Sequence, residues 1–241
     1  MLQLLQFAKM NHVLRFVFRV TLSSCLLSQL STLRAQSPAP SLSPSPGGSQ
    51  TPKFTQQQMQ EMAAKLHERV GKATDQVMGR IQKEELDLYS RFTYLRKPDR
   101  LNPSTYTSRD DVQQWGQSLQ QFKEKADTVD KLYANADLDL GNALIQQRIN
   151  QAVAEQIKKA LLQSFPWEII KKKNQLISEF VSDFGDLLTF YDKNWGSWKP
   201  GSAAGAPAFD DPQVAAGYQS LKEKVSVVGT QIEDQYKAMT H

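Results

Sequence analysis

The chain has 241 residues, of which 40% are hydrophobic, and its 29 Lys and Arg against 25 Asp and Glu give a formal net charge of +4. Its one Cys excludes a disulfide framework and any zinc, haem-attachment or iron–sulfur site built from several cysteines. The ordinary hydrophobic content excludes a multi-span membrane protein, and the apolar periodicity described below argues against a mostly disordered chain.

Residues 1–35 have the order of a secretory signal peptide. Basic residues and no acidic ones precede the moderately apolar run 20–33, and the segment ends at Ala35. The run is too short and too rich in Ser and Thr for a membrane-spanning helix. We therefore predict an exported protein, periplasmic or extracellular, that is cleaved after Ala35 and has no transmembrane helix afterwards. Met10 is an alternative start, which gives a more compact signal.

Two other readings of the N-terminus stay open. The sequence Leu-Ser-Ser-Cys ending at Cys25 resembles a bacterial lipobox, whose cysteine carries a lipid anchor, but almost no apolar segment precedes it. An uncleaved or organellar segment is the third reading.

Removal of residues 1–35 changes the charge of the chain. Four of the 29 basic residues leave with this segment and no acidic residue does, so 25 basic residues remain against 25 acidic ones. A neutral mature chain lacks the electrostatic footprint of a general nucleic-acid-binding protein, and we predict no nucleic-acid partner.

A linker and a long helix follow the signal. Residues 36–52 are rich in Pro, Ser and Gly and lack apolar periodicity, which predicts a disordered linker. From 54 to 95 apolar residues recur every eleven positions, as in Met59, Val70, Ile81 and Phe92. This spacing keeps one apolar stripe on a nearly straight helix.

The next two helices are predicted from heptad spacing. The segment 112–136 alternates apolar steps of three and four, and Ser108 with Asp111 forms a capping-box pattern before it. Asp and Gly residues in 134–142 predict a turn. A third helix is expected over 142–163.

The C-terminal part contributes two more helices. Pro166 either separates the third helix from a fourth, over about 167–191, or kinks one continuous helix. The segment 199–210 is expected to be a flexible loop, and Asp211 before Pro212 predicts the start of the last helix.

The fold class is therefore all-α. We expect one domain over 53–241, an up-and-down bundle of four to five long amphipathic helices with coiled-coil-like heptad and eleven-residue stripes. The heptad seams also permit self-association of the chain.

No residue pattern predicts catalysis, a metal or a cofactor. His67 stands alone as a boundary histidine, and the sequence lacks phosphate-binding, dinucleotide-binding and nucleophile motifs. Glu84 interrupts an apolar row and is either a solvated or paired break or a buried polar contact that fixes helix register. Trp195 and Trp198 are interpreted as helix-end packing, with sugar or membrane contact as the alternative.

The basic residues provide the candidate site. If successive helices alternate in direction, the end of the first, the start of the second, the end of the third and the start of the fourth meet at one pole. The expected pole is a contact for an anionic partner, whereas scattered solvated charge is the simpler alternative. Its candidate residues are Arg96, Lys97, Arg100, Arg109, Lys158, Lys159, Lys171, Lys172 and Lys173.

These observations predict an exported, non-catalytic helical protein that acts through an unknown protein partner or an anionic envelope surface. The alternative is a helical bundle that binds a small ligand in its interior, lined by Trp115, Phe122 and Phe184.

Overall fold

The computed structural model describes residues 55–200, without the side chain of Pro200, and residues 206–239. The described residues are mostly helical, which confirms the all-α class. The predicted signal 1–35, the alternative anchor Cys25 and the linker 36–52 lie outside the described residues.

Six α-helices and two short strands are present in the described ranges. The α-helices are α1 (Gln56–Leu95), α2 (Arg109–Ala134), α3 (Ala136–Gln146), α4 (Gln151–Gln163), α5 (Trp167–Lys193) and α6 (Pro212–Ala238). Two 3-10 helices, Pro98–Leu101 and Pro103–Thr105, connect α1 to α2. The strands β1 (Trp198–Pro200) and β2 (Pro207–Phe209) form an antiparallel pair in which Trp198 faces Phe209. The described ends of the segment expected to be a flexible loop are therefore paired.

Two helix starts follow the predicted capping residues. The Asp111 carboxylate accepts a hydrogen bond from the backbone N–H of Ser108 at 3.0 Å, at the start of α2. The Asp211 carboxylate accepts one from the N–H of Gln213 at 2.7 Å, at the start of α6. In both places the side chain satisfies an N–H group that has no partner inside the helix.

The segment between α2 and α5 differs from the prediction. We expected a turn over 134–142 and one helix over 142–163, but α3 begins at Ala136 and a break separates it from α4. Asp137 and Asp139 lie in the first turn of α3, where carboxylates stabilise a helix N-terminus, so they do not mark a turn. At the break, Arg148 has a φ of 59° and the Asn150 side chain caps α4. Ile145 and Ile149 are four residues apart, which is a helical spacing, so the sequence pattern did not indicate the break.

Pro166 separates two helices. Helix α4 ends at Gln163 and α5 begins at Trp167, so the first of the two alternatives is confirmed. The residue before a proline avoids helical geometry, while proline itself is compatible with a helix start.

The described residues divide into two compact units, and α1 contributes to both. The first unit comprises residues up to Gly79 together with Ala136–Phe165. Its buried side chains include Val70 from α1, Leu140 and Leu144 from α3, and Leu161 from α4. The Lys158 ammonium on α4 lies 3.2 Å from the Asp137 carboxylate on α3, which links these two short helices.

The second unit comprises residues 80–135 and those from Pro166 onward. Its core contains Phe92 of α1, Phe122 of α2 and Phe180 of α5, all fully buried, with ring centroids 5.3 to 6.4 Å apart. Helix α6 adds Tyr236, whose ring lies 4.6 Å from that of Tyr89 of α1. Four helical segments thus meet around one aromatic core.

No helix in the described ranges combines the length and the apolar character that crossing a membrane requires.

Candidate functional site

The most unusual feature of the second unit is a cluster of polar side chains in its interior, which we call the polar core cluster. Each of the four helical segments contributes one member. The members are Glu85 from α1, Tyr133 from α2, Lys173 from α5 and Tyr236 from α6, none of them more than 7% exposed.

Glu85 lies at the centre of this cluster. The Lys173 ammonium donates a hydrogen bond to one carboxylate oxygen of Glu85, and the Tyr236 hydroxyl donates to the other at 3.0 Å. Tyr133 also hydrogen-bonds Glu85. The Lys173 ammonium lies 5.4 Å from the ring centroids of both tyrosines, within reach of a cation–π contact. Every charge in the cluster therefore has several partners.

Burial sets the titration of these groups. Loss of water lowers the pKa of the Lys173 ammonium, and the Glu85 carboxylate opposes this effect. Burial, followed by the negative charge of Glu85, raises the pKa of both Tyr133 and Tyr236 well above its ordinary value. The tyrosines therefore stay protonated and remain hydrogen-bond donors throughout the physiological range.

The cluster fixes how the four segments meet. A buried charge without a partner costs several kcal/mol, so sliding one helix against the others would separate Lys173 from Glu85 at a large cost. Because the cluster is sealed from solvent, it is suited to specifying helix register and unsuited to contacting a substrate.

Of the two readings of Glu84, the structure shows the paired break, and the buried carboxylate is that of the next residue, Glu85. Glu84 lies on the boundary of α1, where its carboxylate pairs with the Lys125 ammonium at 2.6 Å and both side chains remain about a quarter exposed. Glu85 is the inward residue, four after Ile81 and three before Leu88. Lys173 likewise falls three after Ile170. Opposite charges at core positions of two helices were the signal that could have identified the pair.

The predicted basic pole does not form as one surface. The structure corrects the assumption that the start of α2 and the start of α5 share an end. Arg109 lies 3.9 Å from Asp192 near the end of α5, while the Asn174 amide hydrogen-bonds Asp130 near the end of α2. The two helices therefore run in opposite directions. The prediction counted α3 and α4 as one helix, so its assumption of strict alternation gave the wrong expected direction for α5.

The nine candidate residues therefore separate. Lys173 is wholly buried, which excludes it from a surface contact, while Lys171 and Lys172 are exposed on α5. Lys158 and Lys159 belong to the first unit, where Lys158 pairs with Asp137 and Glu155 and Lys159 is exposed.

The remaining four lie between the end of α1 and the start of α2. Arg96 is neutralised by Glu233 of α6, and Arg109 faces Asp192. Lys97 and Arg100 form no ion pair with any described residue.

Lys97 and Arg100 lie instead against two aromatic rings, in what we call the cation–aromatic platform. The Arg100 guanidinium carbon lies 4.1 Å from the ring centroid of Trp115 and 5.5 Å from that of Tyr94. The Lys97 ammonium lies 5.2 Å from the Tyr94 ring. The two rings are 5.3 Å apart, and Tyr94 is 47% exposed. This group presents two cations and an aromatic surface at one end of the second unit.

Trp195 and Trp198 pack at the end of α5, as the sequence suggested. Their rings are 5.3 Å apart, and the ring of Trp198 lies 6.1 Å from that of the buried Tyr191. His67 is exposed on α1. Within the part of the chain that the structure describes, no cluster of His, Cys, Asp or Glu is arranged to hold a metal ion.

Comparisons with protein-family models, with curated proteins and with solved structures each find no match.

Proposed function

We propose that this chain is an exported, non-catalytic helical protein that acts through a protein partner or an anionic envelope surface. The observation that carries the proposal is the cation–aromatic platform. It offers Lys97 and Arg100 without ion-pair partners among the described residues, next to the exposed ring of Tyr94. Aromatic and arginine side chains of this kind are enriched at interfaces.

Export is proposed from the amino-acid sequence. Residues 1–35 have the charge and hydropathy order of a signal peptide, and Gln36–Pro52 would hold the helical part away from a membrane. A lipid anchor on Cys25 is the alternative form of the same localisation.

An up-and-down bundle with coiled-coil-like stripes is the architecture we propose for the helical part. It is supported by the four segments that share the core of Phe92, Phe122 and Phe180, and by the opposite directions of α2 and α5. Self-association through such seams belongs to the same proposal.

A non-catalytic role is supported by the use made of the buried ionisable groups. Glu85 and Lys173 satisfy each other and two tyrosines in the interior, and neither side chain is more than 4% exposed. An acid or base must reach its substrate to act on it. The charges that are best arranged for chemistry thus support a structural role.

A small ligand bound in the interior is the second candidate. Its supporting observation is the Tyr191 hydroxyl, which is buried and has no hydrogen-bond partner among the described residues. Of the lining predicted for such a cavity, however, Phe122 and Phe184 both contact Phe180. We therefore place this candidate second.

The proposal is tested by capture of the full chain at native level, with mass and oligomeric state measured on the same sample. A partner should be lost when Lys97 and Arg100 are both changed to Gln. It should be retained when Lys123 and Lys131, exposed on α2, are changed in the same way. Recovery of the wild-type chain only as a monomer without any partner or surface association would remove the proposal.

A further inference from the structure

We infer that the cation–aromatic platform binds the carboxylate groups of an acidic protein segment. The inference rests on the proposed function and names the class of its partner. It depends on three features of the platform: the stacking of Arg100, the rigidity of the loop that carries it, and the small number of unpaired cations around it.

The stacking of Arg100 determines which anions fit. The guanidinium group lies on Trp115, and its Nε atom is buried without a hydrogen-bond partner among the described residues. Arg100 as a whole residue is only partly buried. Because Nε is buried, the terminal N–H groups of the guanidinium remain, and two of them match the two oxygens of a carboxylate. Lys97 supplies a second positive charge across Tyr94.

The loop that carries Arg100 is fixed before any partner binds. The Tyr106 hydroxyl donates a hydrogen bond to the Arg100 carbonyl oxygen at 2.9 Å. The Tyr218 hydroxyl of α6 donates to the next carbonyl, that of Leu101, at 2.8 Å, and the Thr105 hydroxyl donates to Asp99 O at 2.6 Å. Because the backbone on both sides of Arg100 is anchored, binding requires little additional ordering.

The surrounding charges favour a protein segment over a membrane. Polybasic segments that adsorb to anionic lipid contain roughly four to eight clustered Lys and Arg residues. Here Arg96 is neutralised by Glu233, Arg109 faces Asp192, and exposed Asp99 and Asp110 lie close in sequence. Lys97 and Arg100 remain, which is too few for adsorption to a lipid surface but sufficient for one or two carboxylates next to an aromatic contact.

The test is a titration of the full chain with a synthetic peptide of alternating Glu and Gly. The matched peptide has Gln in place of Glu, and phosphatidylcholine vesicles with and without phosphatidylglycerol are the lipid probe. Binding is measured by calorimetry and by the chemical shift of the Trp115 indole N–H. Unfolding of each variant is followed in parallel, so that loss of binding is separated from loss of fold.

We expect the Glu peptide to bind the wild-type chain and the Gln peptide to bind at least about tenfold more weakly, because the charged hydrogen bonds are lost. Arg100→Gln and Arg100→Lys should each weaken binding of the Glu peptide about tenfold, since lysine keeps the charge but not the flat, two-pronged donor edge. Lys123→Gln should stay within about twofold of wild type, as expected for a remote surface charge.

Three results overturn the inference. An Arg100→Lys variant with wild-type affinity would show that only net charge matters. Binding to phosphatidylglycerol vesicles through Lys97 and Arg100, without binding to the Glu peptide, would move the contact to a lipid surface and leave the proposed function standing. If neither probe binds and capture of the native chain yields no partner or surface, the inference and the proposed function both fail.

Discussion

Replacing either member of the buried Glu85–Lys173 pair should destabilise the second unit, and the two replacements should depend on pH in opposite directions. The side chains are 4% and 0% exposed, so solvent screening does not reduce the effect. Removing one partner leaves the other as a buried charge, which can escape only by gaining or losing a proton.

The cost of each replacement follows from that proton. In Lys173→Met the lone Glu85 carboxyl must be protonated to stay buried. In the unfolded chain a Glu side chain has a pKa of about 4.3, so it is ionised at pH 7. Each pH unit above this pKa costs about 1.4 kcal/mol, so the destabilisation at pH 7 has an upper limit of about 4 kcal/mol. The hydroxyls of Tyr133 and Tyr236 still donate to Glu85 and should reduce the loss to about 3 kcal/mol.

In Glu85→Gln the lone Lys173 must lose its proton instead. In the unfolded chain a Lys side chain has a pKa of about 10.4. The upper limit of the destabilisation is therefore about 4 to 5 kcal/mol at pH 7 and falls to about 2 kcal/mol at pH 9. The unfolded state binds the extra proton, so the stability of this variant rises with pH. In Lys173→Met the folded state binds it, so stability falls as pH rises.

The assay is urea unfolding followed by tryptophan fluorescence between about pH 5 and pH 9, a range chosen to lie between these two reference values. All four tryptophans belong to the second unit, so the signal reports on that unit alone. Lys125→Met is the matched control, because its pairs with Glu84 and Asp87 are 21 to 41% exposed and should contribute about 1 kcal/mol or less.

The double variant Glu85→Gln with Lys173→Met should lose less stability than the two single variants together, and its loss should not vary with pH. Parallel pH profiles for the two single variants, or losses no larger than that of the Lys125 control, would refute the assignment of a buried ion pair.

Three further predictions use other parts of the chain. Tyr236→Phe should make the loss of stability above about pH 10 shallower by about 1.4 kcal/mol per pH unit. Burial raises the pKa of Tyr236, so at alkaline pH only the unfolded chain loses this proton. The free energy of unfolding measured against pH gives the slope, and a slope equal to that of the wild type contradicts the prediction. Asp211→Ala removes the side-chain cap of α6 and should cost about 1 kcal/mol in urea unfolding, with no loss if Gln213 finds another acceptor. N-terminal sequencing of the exported chain should begin at Gln36, whereas a lipid-modified Cys25 detected by mass would establish the anchored alternative.

Several features of the fold were predictable because they depend on local chemistry. Apolar residues at steps of three and four predicted the helices. Asp211 followed by Pro212 predicted a helix start, which the structure confirms. These signals act within one or two helical turns, so they can be read without knowing what the helix packs against.

The break near Asn150 was not predictable in the same way. Ile145 and Ile149 keep the four-residue step across it, although Ile145 is 48% exposed and Ile149 is buried. Which residues face the core depends on the packing of α3 and α4 against each other. The prediction counted these two helices as one, and this gave the wrong expected direction for α5. The nine-residue basic pole depended on that direction and was therefore lost.

The sequence by itself determined the all-α class, most helix boundaries, and the charge balance that remains once residues 1–35 are set aside. Tertiary structure alone decided that Glu85, and not Glu84, meets Lys173, and that Arg100 lies on Trp115. The first contact joins residues 88 positions apart in the chain, and the second joins the connection between α1 and α2 to the body of α2. A long-range ion pair or cation–π contact depends on relative helix rotation and direction, and these are set by how several apolar faces pack together, which no single stripe specifies.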